Sequence, residues 1–92
     1  MELVDLLKIA VERKASDLHI KVGMPPVLRI DHKLVPLVEL PRLGQDAVVA
    51  MAASVMNAKQ RERFKERNEA DLAYGVPGLG RFRVNVFQQR GM

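Results

Sequence analysis

The stretch Gly80-Arg81-Phe82-Arg83-Val84-Asn85-Val86-Phe87 decides the fold that we expect for this chain. Apolar and polar residues alternate strictly along it, which is typical of a β-strand with one buried face and one exposed face. We predict that its alternate apolar residues enter a core and that Arg81, Arg83 and Asn85 stand in a row on the other side. Two interpretations of this row stay open: the solvated face of an edge strand, or a binding surface for an anion such as phosphate.

The composition predicts one small soluble domain. The chain has 92 residues, of which 48% are apolar and 28% charged, enough for a single core. It has no cysteine, which excludes disulfides, thiolate nucleophiles and Cys-based zinc sites and fits a reducing cytoplasm. No apolar run approaches the roughly 20 residues of a membrane span, and the N-terminus lacks a signal-peptide pattern. The net charge of +4 suits either a phosphate-bearing partner or a slightly basic surface.

The hydrophobic periodicity predicts an α+β fold, with helices packed on one face of an antiparallel sheet. The predicted order is an N-terminal helix, a strand, a hairpin around Asp31-His32, a central helix pair, and two final strands. These elements are predicted over residues 2–14, 17–22, 27–30, 33–37, 44–56, 57–67, 69–74 and 80–87.

Several side chains carry local predictions. The first helix is expected to bury Leu3, Leu6, Leu7, Ala10 and Val11. Methionines at helical spacing in 44–56 are expected in the core. Asn57 and Gln60 have the spacing of a capping box. The hairpin register pairs Leu28 with Val35, and Pro36 indicates that the second hairpin strand lies at an edge or ends early.

Signals for catalysis or metal binding are weak. Asp17 and His19 share a predicted strand face and suggest a proton relay or half a metal site, but we interpret His19 as a hydrogen-bonded structural residue. Gly75 and Gly80 have the glycine spacing of a phosphate-binding loop, yet Arg81 and Phe82 follow instead of Lys and Ser/Thr, so we predict a hairpin loop. No nucleophile–base–acid set and no metal site are predicted, and we do not expect this chain alone to be an enzyme.

Three stretches together resemble a known family. They are residues 15–20 (Ala-Ser-Asp-Leu-His-Ile), 23–31 (Gly-x-Pro-Pro-x-x-Arg-Ile-Asp) and 80–91 (beginning Gly-Arg-Phe-Arg-Val-Asn). In this order they resemble the N-terminal, PAS-like domain of the type IV pilus retraction ATPases (PilT-like), within the secretion ATPase superfamily. The resemblance covers essentially the whole chain. It implies that residues 1–92 are one such domain of a longer protein, whose RecA-like ATPase domain with its Walker motifs is absent from this sequence.

The resemblance also implies a function. Members of the family are hexameric cytoplasmic motors of twitching motility, associated with the inner face of the membrane through the pilus machinery. ATP lies between the N-terminal domain and the RecA-like domain, which supplies the magnesium site, and arginines from the N-terminal side reach the phosphates. On this basis Arg83 is the first candidate for phosphate contact, Arg81 the second and Arg90 the third. The partners implied are the RecA-like domain and neighbouring subunits, with no nucleic acid.

Two other function classes stay open from the residues alone. The chain could be a free-standing PAS-like sensor or protein-interaction module with a ligand between sheet and helices. The basic segment 59–67 is where nucleic-acid binding would start, although it lacks the interleaved aromatic residues used for base stacking.

Overall fold

The computed structural model describes residues 2–76, 78 and 80–88 of the chain. Its three helices and five strands are α1 Leu3–Glu12, β1 Asp17–Lys21, β2 Val27–Ile30, β3 Lys33–Pro36, α2 Gln45–Val55, α3 Ala58–Arg67, β4 Glu69–Val76 and β5 Gly80–Phe87. Within these described residues, none of the helices has the length and apolar character needed to cross a membrane.

The five strands form one sheet in the order β3-β2-β1-β5-β4. The predicted α+β class is confirmed, but the sheet is mixed rather than wholly antiparallel, because β1 and β5 pair in parallel. Parallel neighbours need a long crossover connection. Here the connection from β1 to β5 consists of β2, β3, the two central helices and β4. The edge-strand interpretation of 80–87 is wrong, because β5 lies between β1 and β4.

The helices cover one face of the sheet. On that face β1, β2 and β5 bury side chains that are at most 1% exposed, namely Leu18, Ile20, Leu28, Val84 and Val86. Helix α1 buries Leu3, Leu6, Leu7 and Ala10 against them. The prediction for Val11 is wrong, since it is 38% exposed. Its helical position lies about a quarter turn from the centre of the stripe formed by the other four.

The central helix pair follows the predicted pattern. Helix α2 buries Val48, Met51 and Ala52, and Met56 follows it into the core. Asn57 and Gln60 form the predicted capping box: the Gln60 amide donates to Asn57 Oδ1 at 2.8 Å, and the Asn57 amide donates to Gln60 Oε1 at 2.9 Å. Phe64 is the buried anchor of α3.

Both predicted hairpins are present. In the first, Leu28 pairs with Val35, and β3 is an edge strand that ends at Pro36, as predicted. Asp31 and His32 both have positive φ, 51° and 68°, the combination that a type I′ two-residue hairpin turn requires. The second hairpin pairs β4 with β5 over eight register positions, from Glu69–Phe87 to Val76–Gly80.

Candidate functional site

The face of the sheet opposite the helices carries polar side chains that lie in register, and we call it the open face. One row across it contains Arg29, Asp17 and Arg83, from β2, β1 and β5. The next row contains His19, Asn85 and Asp71, from β1, β5 and β4. The predicted alternation in β5 is confirmed: Phe82, Val84 and Val86 are buried on the helix side, whereas Arg81 and Arg83 are exposed.

Arg83 and Asp71 form the most extensive ion pair of the open face. Arg83 Nε donates to Asp71 Oδ1 at 3.0 Å and to Oδ2 at 3.1 Å, and Nη2 also donates to Oδ2. These hydrogen bonds hold the pKa of the Asp71 carboxyl below its usual value and raise the pKa of the Arg83 guanidinium. The side chains keep 64% and 50% of their surface exposed, so the pair stays accessible from solvent.

A second ion pair lies on β2 and β1. Arg29 Nε lies 3.2 Å from Asp17 Oδ2, and the Asp17 side chain is only 14% exposed. The same oxygen accepts a hydrogen bond from Ser16 Oγ at 3.0 Å. Arg29 Nη1 donates to the His32 carbonyl oxygen at 3.3 Å and so reaches the hairpin turn. Because both partners are held by the fold, we interpret this pair as structural.

His19 lies between the two ion pairs and is half-buried. Burial is the main cause that lowers its pKa, and the charges of Arg29 and Arg83 lower it further against the opposite effects of Asp17 and Asp71. Its Nε2 is buried and has no hydrogen-bond partner among the described residues. The prediction of a hydrogen-bonded structural histidine is therefore wrong for this atom.

The other candidate arginines have different positions. Arg81 is exposed and pairs in register with Gly75. Its Cγ lies 3.6 Å from the position that a Cβ on residue 75 would occupy. Arg81 and Arg83 line the same shallow depression of ≈ 470 Å³, with Asp71, Leu72, Ala73 and Phe82. Arg90 lies outside the described residues.

Asp71 is the residue that sequence reasoning missed. The signal was present in the alternation of Glu69–Tyr74, which places Glu69, Asp71 and Ala73 on the polar side of the strand. With a 75–80 hairpin this side faces the same direction as Arg81 and Arg83. The resulting group combines a guanidinium on an interior strand with a carboxylate that holds it, an arrangement able to present fixed N–H donors to an anion.

The basic segment 59–67 forms α3, whose basic residues are all exposed. Arg61 has a structural contact, because its Nη2 donates to the Ala53 carbonyl oxygen near the end of α2 at 3.0 Å. A cation that satisfies a carbonyl at a helix end is a common stabilising feature. Of the basic residues of α3, Arg61 is thus explained by a structural contact.

Known proteins share this chain's sequence and fold. It is 43% identical to the type IV pilus retraction ATPase PilT of Pseudomonas aeruginosa over 89 residues, which is 97% of this chain and 26% of PilT. It is 37% identical to the type IV pilus ATPase PilU of the same organism, over 100% of this chain and 24% of PilU. A crystal structure of the pilus retraction motor PilT with bound ADP superposes with a TM-score of 0.78 at 42% identity, covering 99% of this chain and 26% of that one.

No protein-family model matches the chain. PilT and PilU are both ATPases of type IV pili, and the chain spans about a quarter of the length of each. Within that class, the chain belongs to the PilT-like proteins, as a version of their N-terminal domain.

Proposed function

We propose that this chain is the N-terminal regulatory and subunit-packing domain of a hexameric type IV pilus retraction motor, in which it contributes arginines to the ATP phosphates. The observation that carries the proposal is the match along the whole chain, in sequence and in fold, to a pilus retraction motor whose crystal structure contains ADP. The motor acts in twitching motility, is cytoplasmic, and works against the pilus machinery at the inner face of the membrane.

The open face supports the choice of arginines. Arg83 is on an interior strand and is exposed, and Arg81 lies two residues away on the same side of β5. A guanidinium in such a position stabilises charge that develops on a transferred phosphoryl group. Arg83 therefore remains the first candidate, Arg81 the second and Arg90 the third.

The chemistry is divided between two domains in this proposal. The RecA-like domain binds ATP and magnesium and activates the attacking water, while the present chain supplies positive charge and couples neighbouring subunits. This chain alone then hydrolyses no ATP, because it provides neither a phosphate-binding loop nor a carboxylate set for magnesium in its sequence.

The test uses a chimera in which this chain replaces the matching quarter of Pseudomonas aeruginosa PilT. We expect Arg83→Ala to lower ATP turnover by about 10²-fold or more, the range seen when a residue that stabilises phosphoryl-transfer charge is removed. Arg13→Ala is the matched control, because Arg13 is also an exposed arginine in an ion pair, with Glu39 at 2.8 Å. It should leave turnover unchanged.

Two results would contradict the proposal. Turnover by the Arg83→Ala chimera equal to that of the Arg13→Ala chimera would remove Arg83 from the phosphate site. An unaltered chimera that assembles but has no turnover would contradict the assignment of this chain as a motor domain.

A further inference from the structure

The contact between Arg83 and Asp71 uses only one side of the Arg83 guanidinium. Nε and Nη2 donate to the Asp71 carboxylate, whereas Nη1 donates to none of the described residues. The guanidinium is a planar fork of N–H donors that can bind carboxylate or phosphate with two parallel hydrogen bonds. The edge formed by Nη1 and the second N–H of Nη2 is therefore available while the Nε side is held.

The paired strands fix the backbone positions from which Arg83 and Asp71 meet. Arg83 pairs in register with Ala73, and Asp71 pairs with Asn85, so the two side chains are diagonal neighbours on adjacent strands. Strands β4 and β5 are paired on both sides of this position, and β5 is also paired with β1. An exposed arginine without such a partner would sample many rotamers and would lose that freedom on binding a ligand.

The charge of Asp71 is also fixed. Its lowered pKa keeps it a carboxylate throughout the neutral range. The carboxylate partly offsets the charge of Arg83, but Arg81, on the same side of β5 and lining the same depression, has no ion-pair partner among the described residues. The site thus keeps net positive charge where a phosphate would approach.

We propose that Asp71 is a positioning residue for Arg83: it holds the Nε side of the guanidinium and directs the Nη1–Nη2 edge toward the nucleotide phosphate. This inference rests on the proposed function, because it assumes that Arg83 meets a phosphate in the assembled motor. Asp71 itself touches no substrate. Its contribution is to limit the rotamers of Arg83 before the nucleotide arrives, which favours the geometry needed for catalysis.

The experiment measures ATP turnover in the same chimera. We expect Asp71→Asn to lower kcat about tenfold through misplacement of Arg83. It should cause no further loss when added to Arg83→Ala, because a residue that acts through Arg83 has no effect once Arg83 is gone. Asp71→Glu keeps the carboxylate and should recover part of the loss. Glu39→Gln is the matched control, since it removes the carboxylate of the exposed Arg13–Glu39 pair, which joins the end of α1 to the segment after β3.

Two further measurements distinguish the positioning role of Asp71 from a purely structural one. Asp71→Asn should leave the thermal unfolding midpoint of the chain unchanged, because exposed ion pairs contribute little to stability. In the isolated chain, the Nε–H of Arg83 should exchange slowly in nitrogen-15 NMR spectra and rapidly in the Asp71→Asn variant. Equal exchange rates in the two proteins would show that the contact does not hold Arg83.

The outcomes separate the two proposals. If Arg83→Ala leaves turnover unchanged, the proposed contact of Arg83 with the phosphates fails, and the role of Asp71 fails with it. If Arg83→Ala lowers turnover but Asp71→Asn does not, only the positioning role is overturned. The positioning role is also overturned if the double variant loses turnover by the product of the two single losses, because Asp71 then acts independently of Arg83.

Discussion

His19 stands among two arginines and two aspartates on the open face, and its pKa reflects their charges together with its burial. Burial is the largest influence and lowers the pKa, while the opposing charges of Asp17 and Asp71 are partly cancelled by Arg29 and Arg83. The folded chain therefore binds a proton at His19 less readily than the unfolded chain does. By linkage, this stabilises the fold above the unfolded pKa, and the contribution is lost as pH falls through the folded pKa.

We accordingly expect the free energy of unfolding to decrease on acidification, with part of the slope due to His19. Urea unfolding of the chain between about pH 5 and about pH 7.5 measures the slope. His19→Gln removes the imidazole and should make the slope shallower. Parallel pH profiles for the wild-type chain and the His19→Gln variant would contradict this assignment.

At the scale of elements, the β2–β3 hairpin contains a local conflict between sequence and geometry. Its turn residues Asp31 and His32 have φ of 51° and 68°. A residue with a Cβ adopts this left-handed region at a cost of about 1 kcal/mol or more, and the second turn position most often holds glycine. Aspartate and histidine tolerate the region better than most residues but less well than glycine, and His32 occupies the position where glycine is most often found.

His32→Gly should therefore raise the free energy of unfolding by about 1 kcal/mol, measured by urea unfolding. The contact that Arg29 makes with residue 32 uses the backbone carbonyl oxygen and is kept. Lys33→Gly is the matched control: it places glycine one residue later, within β3, and should destabilise by about 0.5–1 kcal/mol. A loss of stability in both variants would show that His32 makes a compensating contact.

Most elements were predictable because their signals are local. The alternation in 80–87, the capping box of α3 and Pro36 at the end of β3 each act within a few residues, and all were confirmed. The parallel pairing of β1 with β5 was not predictable in this way, because it joins residues more than half the chain apart. Strand order depends on which buried faces fit together, and short-range periodicity does not contain that information.

The candidate site was predictable in part for the same reason. That Arg81 and Arg83 share a side of β5 follows from alternation alone. The ion pair between Arg83 and Asp71 requires the register of the β4–β5 hairpin, and the position of His19 beside them requires the β1–β5 pairing. The open face as a whole is thus a product of the tertiary fold.

At the scale of the whole molecule, the proposed function makes this chain one domain of a larger assembly. The helix side of the sheet is filled by the core, and the open face holds charged groups in fixed positions. A small domain gains little stability from two exposed or half-exposed ion pairs. We infer that the open face is arranged for an incoming anionic group, which in the proposed motor is the phosphate chain of ATP.

The most direct test is the affinity of the PilT chimera for a non-hydrolysable ATP analogue, measured by calorimetry with and without Arg83→Ala. We predict that Arg83→Ala raises the Kd about tenfold, the loss expected for one charge-assisted hydrogen bond to phosphate. Arg13→Ala should leave the Kd unchanged. Equal Kd values for the unaltered and the Arg83→Ala chimeras would contradict the central claim that Arg83 contacts the nucleotide phosphates.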